Sequence, residues 1–208
     1  MKEIIIPSSV TKIGEHAFVC CVSLENITIP DSVTVIGDKV FFGCKSLEKI
    51  TIPDSVKKIG HDAFSGCESL KEITIPDSIT EIGEWAFKGC ENLADENGFI
   101  IVRDVLYGYY GNAEKVIIPD YVTKIGDFAF SGCKSLKEIT IPDSVKKIGG
   151  GTFSGCESLE KITIPDSVTE IGGWAFKGCE DLVIKAPENS FAQKYAEENG
   201  MKFKVINR

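Results

Sequence analysis

Histidine is scarce in this chain, and so are the arrangements that catalysis needs. The 208 residues include two histidines, His16 and His61. They fall at different places in the repeat described below, so they share no column. No Ser-His-Asp or Cys-His arrangement is suggested, which removes the usual nucleophilic hydrolases. Gly149-Gly150-Gly151 lacks the Lys-Ser/Thr that would complete a phosphate loop. No Cys-x-x-Cys pair or Cys/His cluster occurs, which argues against zinc. No catalytic, cofactor or metal residue is therefore assigned, and the chain does not read as an enzyme. Basic residues are in deficit, with 23 Lys and Arg against 31 Asp and Glu, a net charge of -8. Nucleic acids and anionic membranes need a basic face, so neither is an expected partner. No apolar run approaches a membrane span, so direct membrane insertion is not expected. The three residues before the first repeat at Ile4 do not read as a signal peptide, which does not exclude secretion.

What the chain does have is one 23-residue unit in seven copies. The clearest runs from Ile50 to Glu72, ITIPDSVKKIGHDAFSGCESLKE, and neighbours begin at Ile4, Ile27, Ile73, Val116, Ile139 and Ile162. A fixed period of this length marks a solenoid, in which each unit buries its apolar face against its neighbours. Ile50 and Ile52 flank outward-facing Thr51, the alternation of a half-buried strand. A phenylalanine column, Phe18, Phe41, Phe64, Phe87, Phe130, Phe153 and Phe176, is complete, as is a leucine column from Leu24 to Leu182. Each buried Phe or Leu contributes about 1.5–3 kcal/mol, so every rung has several large terms against its ordering entropy. Pro53, Asp54 and Ser55 end the strand, with Asp54 expected to close an Asx-turn. Ala63 to Cys67 is too short for an α-helix and reads as a helical or 3₁₀ turn closed by Gly66.

The order C-x-x-L-x-x-I-x-I-P followed by S-V-x-x-I-G-x-x-A-F-x-G-C resembles the BspA-like leucine-rich repeat family over nearly the whole chain. The resemblance implies a leucine-rich repeat solenoid, mostly β, curved and right-handed, with a parallel sheet on its concave side. It also implies a cell-surface or secreted protein used in adhesion and partner binding.

One domain is expected over 1–208. Rungs occupy 4–94 and 116–185, with an inserted β-hairpin at 95–115 and a C-terminal helix–strand cap at 186–208. In the hairpin, Phe99–Val102 and Val105–Tyr110 are β-prone around Arg103-Asp104. In the cap, Ser190 to Asn199 is helix-like, Gly200 stops it, and Met201 to Ile206 can form a strand. The N-terminus shows no equivalent cap, so an exposed end and a longer parent chain are expected. Trp85, Phe128 and Trp174 share one repeat position, beside the hairpin or the cap, and are expected to cover those joints.

Seven of the eight cysteines, Cys21, Cys44, Cys67, Cys90, Cys133, Cys156 and Cys179, fill one column. Rungs about 4.8 Å apart hold parallel Cβ atoms beyond the ~3.5–4.5 Å of a disulfide, so a ladder of free thiols is expected. Cys20 stands where other rungs carry glycine.

Three sets of residues are candidates for partner contact. The first is the outward threonine column, Thr28, Thr51, Thr74, Thr140 and Thr163. The second is the alternating charge column, Lys49, Glu72, Glu138 and Lys161, which reads either as cross-rung ion pairs or as a polar docking face. The third is the hairpin aromatics Tyr107, Tyr109 and Tyr110, which either anchor an interface or pack the hairpin down. The aspartates Asp31, Asp54, Asp77, Asp120, Asp143 and Asp166 also stack, but one carboxylate per rung supplies too few oxygens for calcium. The expected function is a non-enzymatic interaction or adhesion module that takes a protein or glycan partner. The alternative is a structural spacer in a larger surface protein.

Overall fold

A computed structural model describes residues 2–206. Positions 207 and 208 of the expected cap lie outside the described residues. The fold is a mostly-β parallel solenoid, and its contacts gather into two compact units, 1–95 and 96–208. The first has a four-stranded parallel sheet of Glu3–Ile5, Asn26–Thr28, Lys49–Thr51 and Glu72–Thr74. A second parallel sheet, Val35–Ile36, Lys58–Ile59 and Glu81–Ile82, comes from the shorter extended stretch of each rung. In the second unit the corresponding five-stranded sheet runs Lys115–Ile117, Glu138–Thr140, Lys161–Thr163, Val183–Ala186 and Lys202–Val205. Registers place like on like: Ile50 opposite Ile73, Thr51 opposite Thr74, Ile139 opposite Ile162. Much of the second unit repeats the first 89 positions on, as Trp85 recurs at Trp174 and Cys90 at Cys179.

The phenylalanine column is the axis of each core. Within the first unit, Phe41 and Phe64 stack with centroids 5.4 Å apart, and Phe64 and Phe87 follow at 5.9 Å. Within the second, Phe130 and Phe153 stand 5.2 Å apart, and Phe153 and Phe176 5.5 Å. Such offset stacks add to area burial, because the rings also interact through their quadrupoles. The turn segments are hydrogen-bonded between rungs as well. The Phe41 N–H donates to Ala63 O at 2.8 Å, Phe64 to Ala86 at 2.9 Å and Phe153 to Ala175 at 2.7 Å.

The backbone bears on four local expectations. First, Ala63–Cys67 is a run of tight turns and not a helix: the Ser65 N–H donates to Asp62 O and the Cys67 N–H to Phe64 O, both at 3.0 Å, with Asp62 (φ 53°) and Gly66 (φ 76°) left-handed and alternate N–H groups bonding the next rung. Second, the aspartate does not close the strand-ending turn. The Val56 N–H donates to Pro53 O at 3.0 Å, and the Ser55 hydroxyl donates to Val33 O of the preceding rung at 2.6 Å. Third, the inserted hairpin forms and is tied into the solenoid. Its strands Phe99–Val102 and Val105–Tyr109 pair antiparallel, and the second pairs in parallel with Lys124–Ile125. Leu106 is fully buried, and Tyr109 enters the phenylalanine column 5.0 Å from Phe130. Fourth, Phe128 lies over the rung that follows it: a Cβ at Gly151 would meet its ring at 2.5 Å, so only glycine fits there.

The C-terminal cap forms as the pattern of residues requires. Helix Phe191–Glu198 is capped by Ser190, whose hydroxyl accepts from the Gln193 N–H at 3.2 Å. Gly200 ends it in the left-handed region (φ 64°). Ala192 and Ala196 are buried, and Tyr195 meets the edge of Phe176 at 5.9 Å, closing that end of the ring column.

All eight cysteines are free. The ladder thiols are weak donors to the carbonyl of the preceding rung's phenylalanine: Cys44 to Phe18 O at 3.1 Å, Cys67 to Phe41 O at 3.2 Å, Cys156 to Phe130 O at 3.0 Å. At Cys133 the spacing opens to 3.9 Å, because the preceding carbonyl belongs to Tyr109 of the hairpin. Burial pushes the Cys44 and Cys90 thiols up to about 12 from an ordinary 9.0, and Cys67 rises for the same reason. Cys20 is exposed and outside the ladder. It adopts φ 56° in the column where Gly43, Gly66, Gly89, Gly132, Gly155 and Gly178 adopt φ 70–79°.

A Cβ in the left-handed region costs roughly 1–2 kcal/mol. Cys20→Gly therefore raises stability by about 1 kcal/mol in urea titration, after allowing for the freer unfolded chain; equal or lower stability would show that the position is not strained. The thiol shifts set a pH window. Well below pH 9 the Cys44 and Cys90 thiols are protonated in both folded and unfolded chains. Between about 9 and 12 these two ionise in the unfolded chain and resist in the folded one, so their contribution favours unfolding as pH rises, whereas Cys133, held below its ordinary value by the hydrogen bond with Cys156, works the other way. Denaturant midpoints that fall across this range, with iodoacetamide labelling Cys20 first in the native state at pH 8, are the expected results.

Candidate functional site

The twelve candidate residues separate once they are placed. Thr28, Thr51 and Thr74 stand exposed on the first unit's larger sheet. Their column opens on Ile5, which is 71% exposed and opposite Thr28. Lys49 and Glu72 are consumed by each other at 2.6 Å, and Glu138 pairs with Lys115 at 3.1 Å. The Glu138 carboxyl is held below its usual range by the hydrogen bond and charge of Lys115, with Lys161 and Lys185 adding attraction. Lys161 sits in register with Glu138. Neighbouring columns repeat the device, as in Lys45–Glu68 at 2.8 Å and Lys137–Glu114 at 2.7 Å. Each of these partners lies one repeat away, so the charges tie rung to rung. Tyr109 is in the core, and Tyr107 is half-buried with its phenol pushed up to about 12, mainly by burial and then by the charge of Asp104. Tyr110 is at the surface, with its ring close over Gly108.

Thr140 and Thr163 are brought together. They line a groove of about 920 Å³ on the second unit, at the end of the sheet where the strands run into their Pro-Asp-Ser turns. Its walls are Pro142, Pro165 and Pro187, with Ile141 and Ile206 adding apolar surface and Asp120, Asp143 and Asp166 following the rim. A groove of this size and composition is suited to a ligand or an extended chain segment. Ser144 lines it with a buried hydroxyl that makes no hydrogen bond, whereas the equivalent Ser167 donates to Val145 O at 2.9 Å. Beside the groove, Ile117 is 81% exposed and in register with Thr140, and Tyr121 follows Asp120 at 58% exposure. Both were legible as departures from the repeat: isoleucine in a threonine column and tyrosine in a serine column.

Among the described residues no group of three or more His, Cys, Asp or Glu is placed to hold a metal ion, and no helix is long and apolar enough to cross a membrane. The groove can bind; it presents no nucleophile–base pair.

The family model for the BspA type leucine rich repeat region (6 copies) matches residues 1–97 and again 100–197. The chain belongs to this family. A leucine-rich repeat protein from Eubacterium ventriosum ATCC 27560 is 26% identical with a TM-score of 0.61, over 91% of this chain and 61% of that one. One from Bacteroides ovatus ATCC 8483 is 26% identical with a TM-score of 0.50, over 99% of this chain and 84% of that one. The pneumococcal vaccine antigen PcpA, 22% identical with a TM-score of 0.55 over 89% of this chain and 62% of that one, shares the fold. The chain thus spans under two thirds of the Eubacterium and pneumococcal structures. No match to a curated protein was found.

Lys49 and Glu72 are more than half exposed, and exposed pairs contribute 0–1 kcal/mol. Lys49→Gln is expected to lower unfolding free energy by no more than about 0.5 kcal/mol, and half-molar salt should shrink even that; a larger loss would mean the pair does more than hold register.

Proposed function

We propose that this chain is a non-enzymatic protein-interaction module of a cell-surface or secreted leucine-rich repeat protein. It docks an extended segment of a partner along the groove of the second unit. The observation that carries this reading is the coincidence, in one groove, of Thr140 and Thr163 with an apolar proline-lined wall and the exposed Ile117 and Tyr121 at its side. Exposed apolar side chains gathered next to a groove mark interaction surfaces, because they cost solubility and gain nothing in the free protein. The rim aspartates favour a segment that carries basic side chains. The family supports a surface or secreted location, and adhesion is the role that fits such a location.

The experiment is selection of extended nonapeptides displayed on phage against the whole chain. Binders rich in Lys or Arg are expected. Thr140→Arg with Thr163→Arg should weaken them at least tenfold while the thermal midpoint stays within a few degrees. Failure to select any binder, or binders indifferent to both substitutions, would support the spacer role instead.

A further inference from the structure

The second unit carries another concavity, of about 410 Å³, between its last full rung and the cap. Trp174 stands at its edge and is 76% exposed. The equivalent positions hold His16, Lys39, Asp62, Trp85, Phe128 and Gly151, all in the same left-handed conformation (φ 53–62°), so the backbone does not require tryptophan, and Trp174 is twice as exposed as Trp85 (76% against 38%). An indole at this position meets the same backbone strain and buries little surface in return. Phe176 and Tyr195 give the cleft an apolar floor. Its rim residues mix donors and acceptors: Lys177, Lys202, whose ammonium also pairs with Asp181 at 3.4 Å, Glu180 and Asn199. The Asn199 Nδ2 donates to Tyr195 O at 2.8 Å, so Oδ1 is the atom left to accept. The Lys177 ammonium lies over the indole, 5.9 Å from its centre, a cation–π contact on one face that leaves the other face for a ligand.

An exposed flat aromatic ring beside both donors and acceptors matches the chemistry of a pyranose. Such a sugar has one face of C–H groups that packs on an indole, and a rim of hydroxyls that both donate and accept. A cationic ligand would meet two ammonium groups. A purely apolar ligand would strip water from the rim without replacing its hydrogen bonds. The volume is within the range of small-molecule sites and holds one or two sugar rings. We propose that this cleft binds a pyranose of a glycan chain, with Trp174 as the stacking platform and Glu180, Asn199, Lys177 and Lys202 engaging the ring hydroxyls. The site is separate from the peptide groove and does not depend on it.

The chain holds two tryptophans, so Trp85→Phe leaves Trp174 as the sole indole reporter. Its emission is titrated with cellotetraose, chitotetraose, maltotetraose and lactose, with AMP as a flat, anionic control. A saturable shift with at least one sugar is expected. Calorimetry on Trp174→Gly, which installs the residue found at 151, should show affinity at least tenfold lower with a melt that does not fall. Glu180→Gln, on an exposed side chain, should weaken binding severalfold. Absence of a response to all four sugars, response to AMP alone, or sugar binding that survives both substitutions would overturn the proposal.

Discussion

In-register stacking of phenylalanine on phenylalanine is the constraint on which the rest depends. Rings about 5.4 Å apart along the column demand that successive rungs superimpose. That superposition puts each turn N–H opposite the next rung's carbonyl. The same geometry sets a thiol against the phenylalanine carbonyl of the preceding rung and a lysine against a glutamate 23 residues away. The hydrophobic term is the large one. The thiol and ion-pair ladders are small, exposed or weakly bonding, and act chiefly to reject a slipped register.

Both ends of the second unit's ring column are extended by non-repeat elements. The hairpin adds Tyr109, which packs on Phe130, and then Phe99, 5.2 Å from Tyr109; the cap adds Tyr195, which packs on Phe176. The last repeat Phe at each end would otherwise present its ring to water, and a tyrosine can cover it while keeping a polar hydroxyl that finds a partner or solvent. The hairpin and the cap are therefore parts of the core. The surfaces they create beside it, the proline-walled groove and the tryptophan-edged cleft, arise because non-repeat segments meet repeat segments there. Pro187 and Ile206 complete the groove, and Tyr195 and Asn199 complete the cleft. Within a regular solenoid every rung offers the same surface, and singular sites form where the regularity is broken.

Much of the fold was legible because the period fixes neighbours. Phe64 had to meet Phe41 and Phe87, and Cys67 had to lie beside Cys44, once rungs were stacked. The free thiols followed from spacing alone, and the Ser190 cap with the Gly200 stop followed from helix-end chemistry. Legibility failed where a residue left the period. Tyr109 carries an interface-forming side chain, yet the antiparallel return of the hairpin turns it inward, and no repeat position announces that. The turn aspartates looked like Asx-turn residues. The proline carbonyl took the closing hydrogen bond instead, because a rigid Pro at the first turn position already presents its carbonyl to the valine N–H.

The residue order by itself determined the repeat, the buried columns and the resemblance to the family. These depend on contacts between equivalent positions, and a period specifies such contacts without coordinates. Tertiary structure alone decided which threonines share a groove, that the lysine–glutamate columns are spent on one another, and that Trp174, expected to cover the cap joint, stands exposed at its edge. Those facts depend on how unlike segments pack together, and the packing of irregular chain on regular chain is set by shape and side-chain direction rather than by spacing along the sequence.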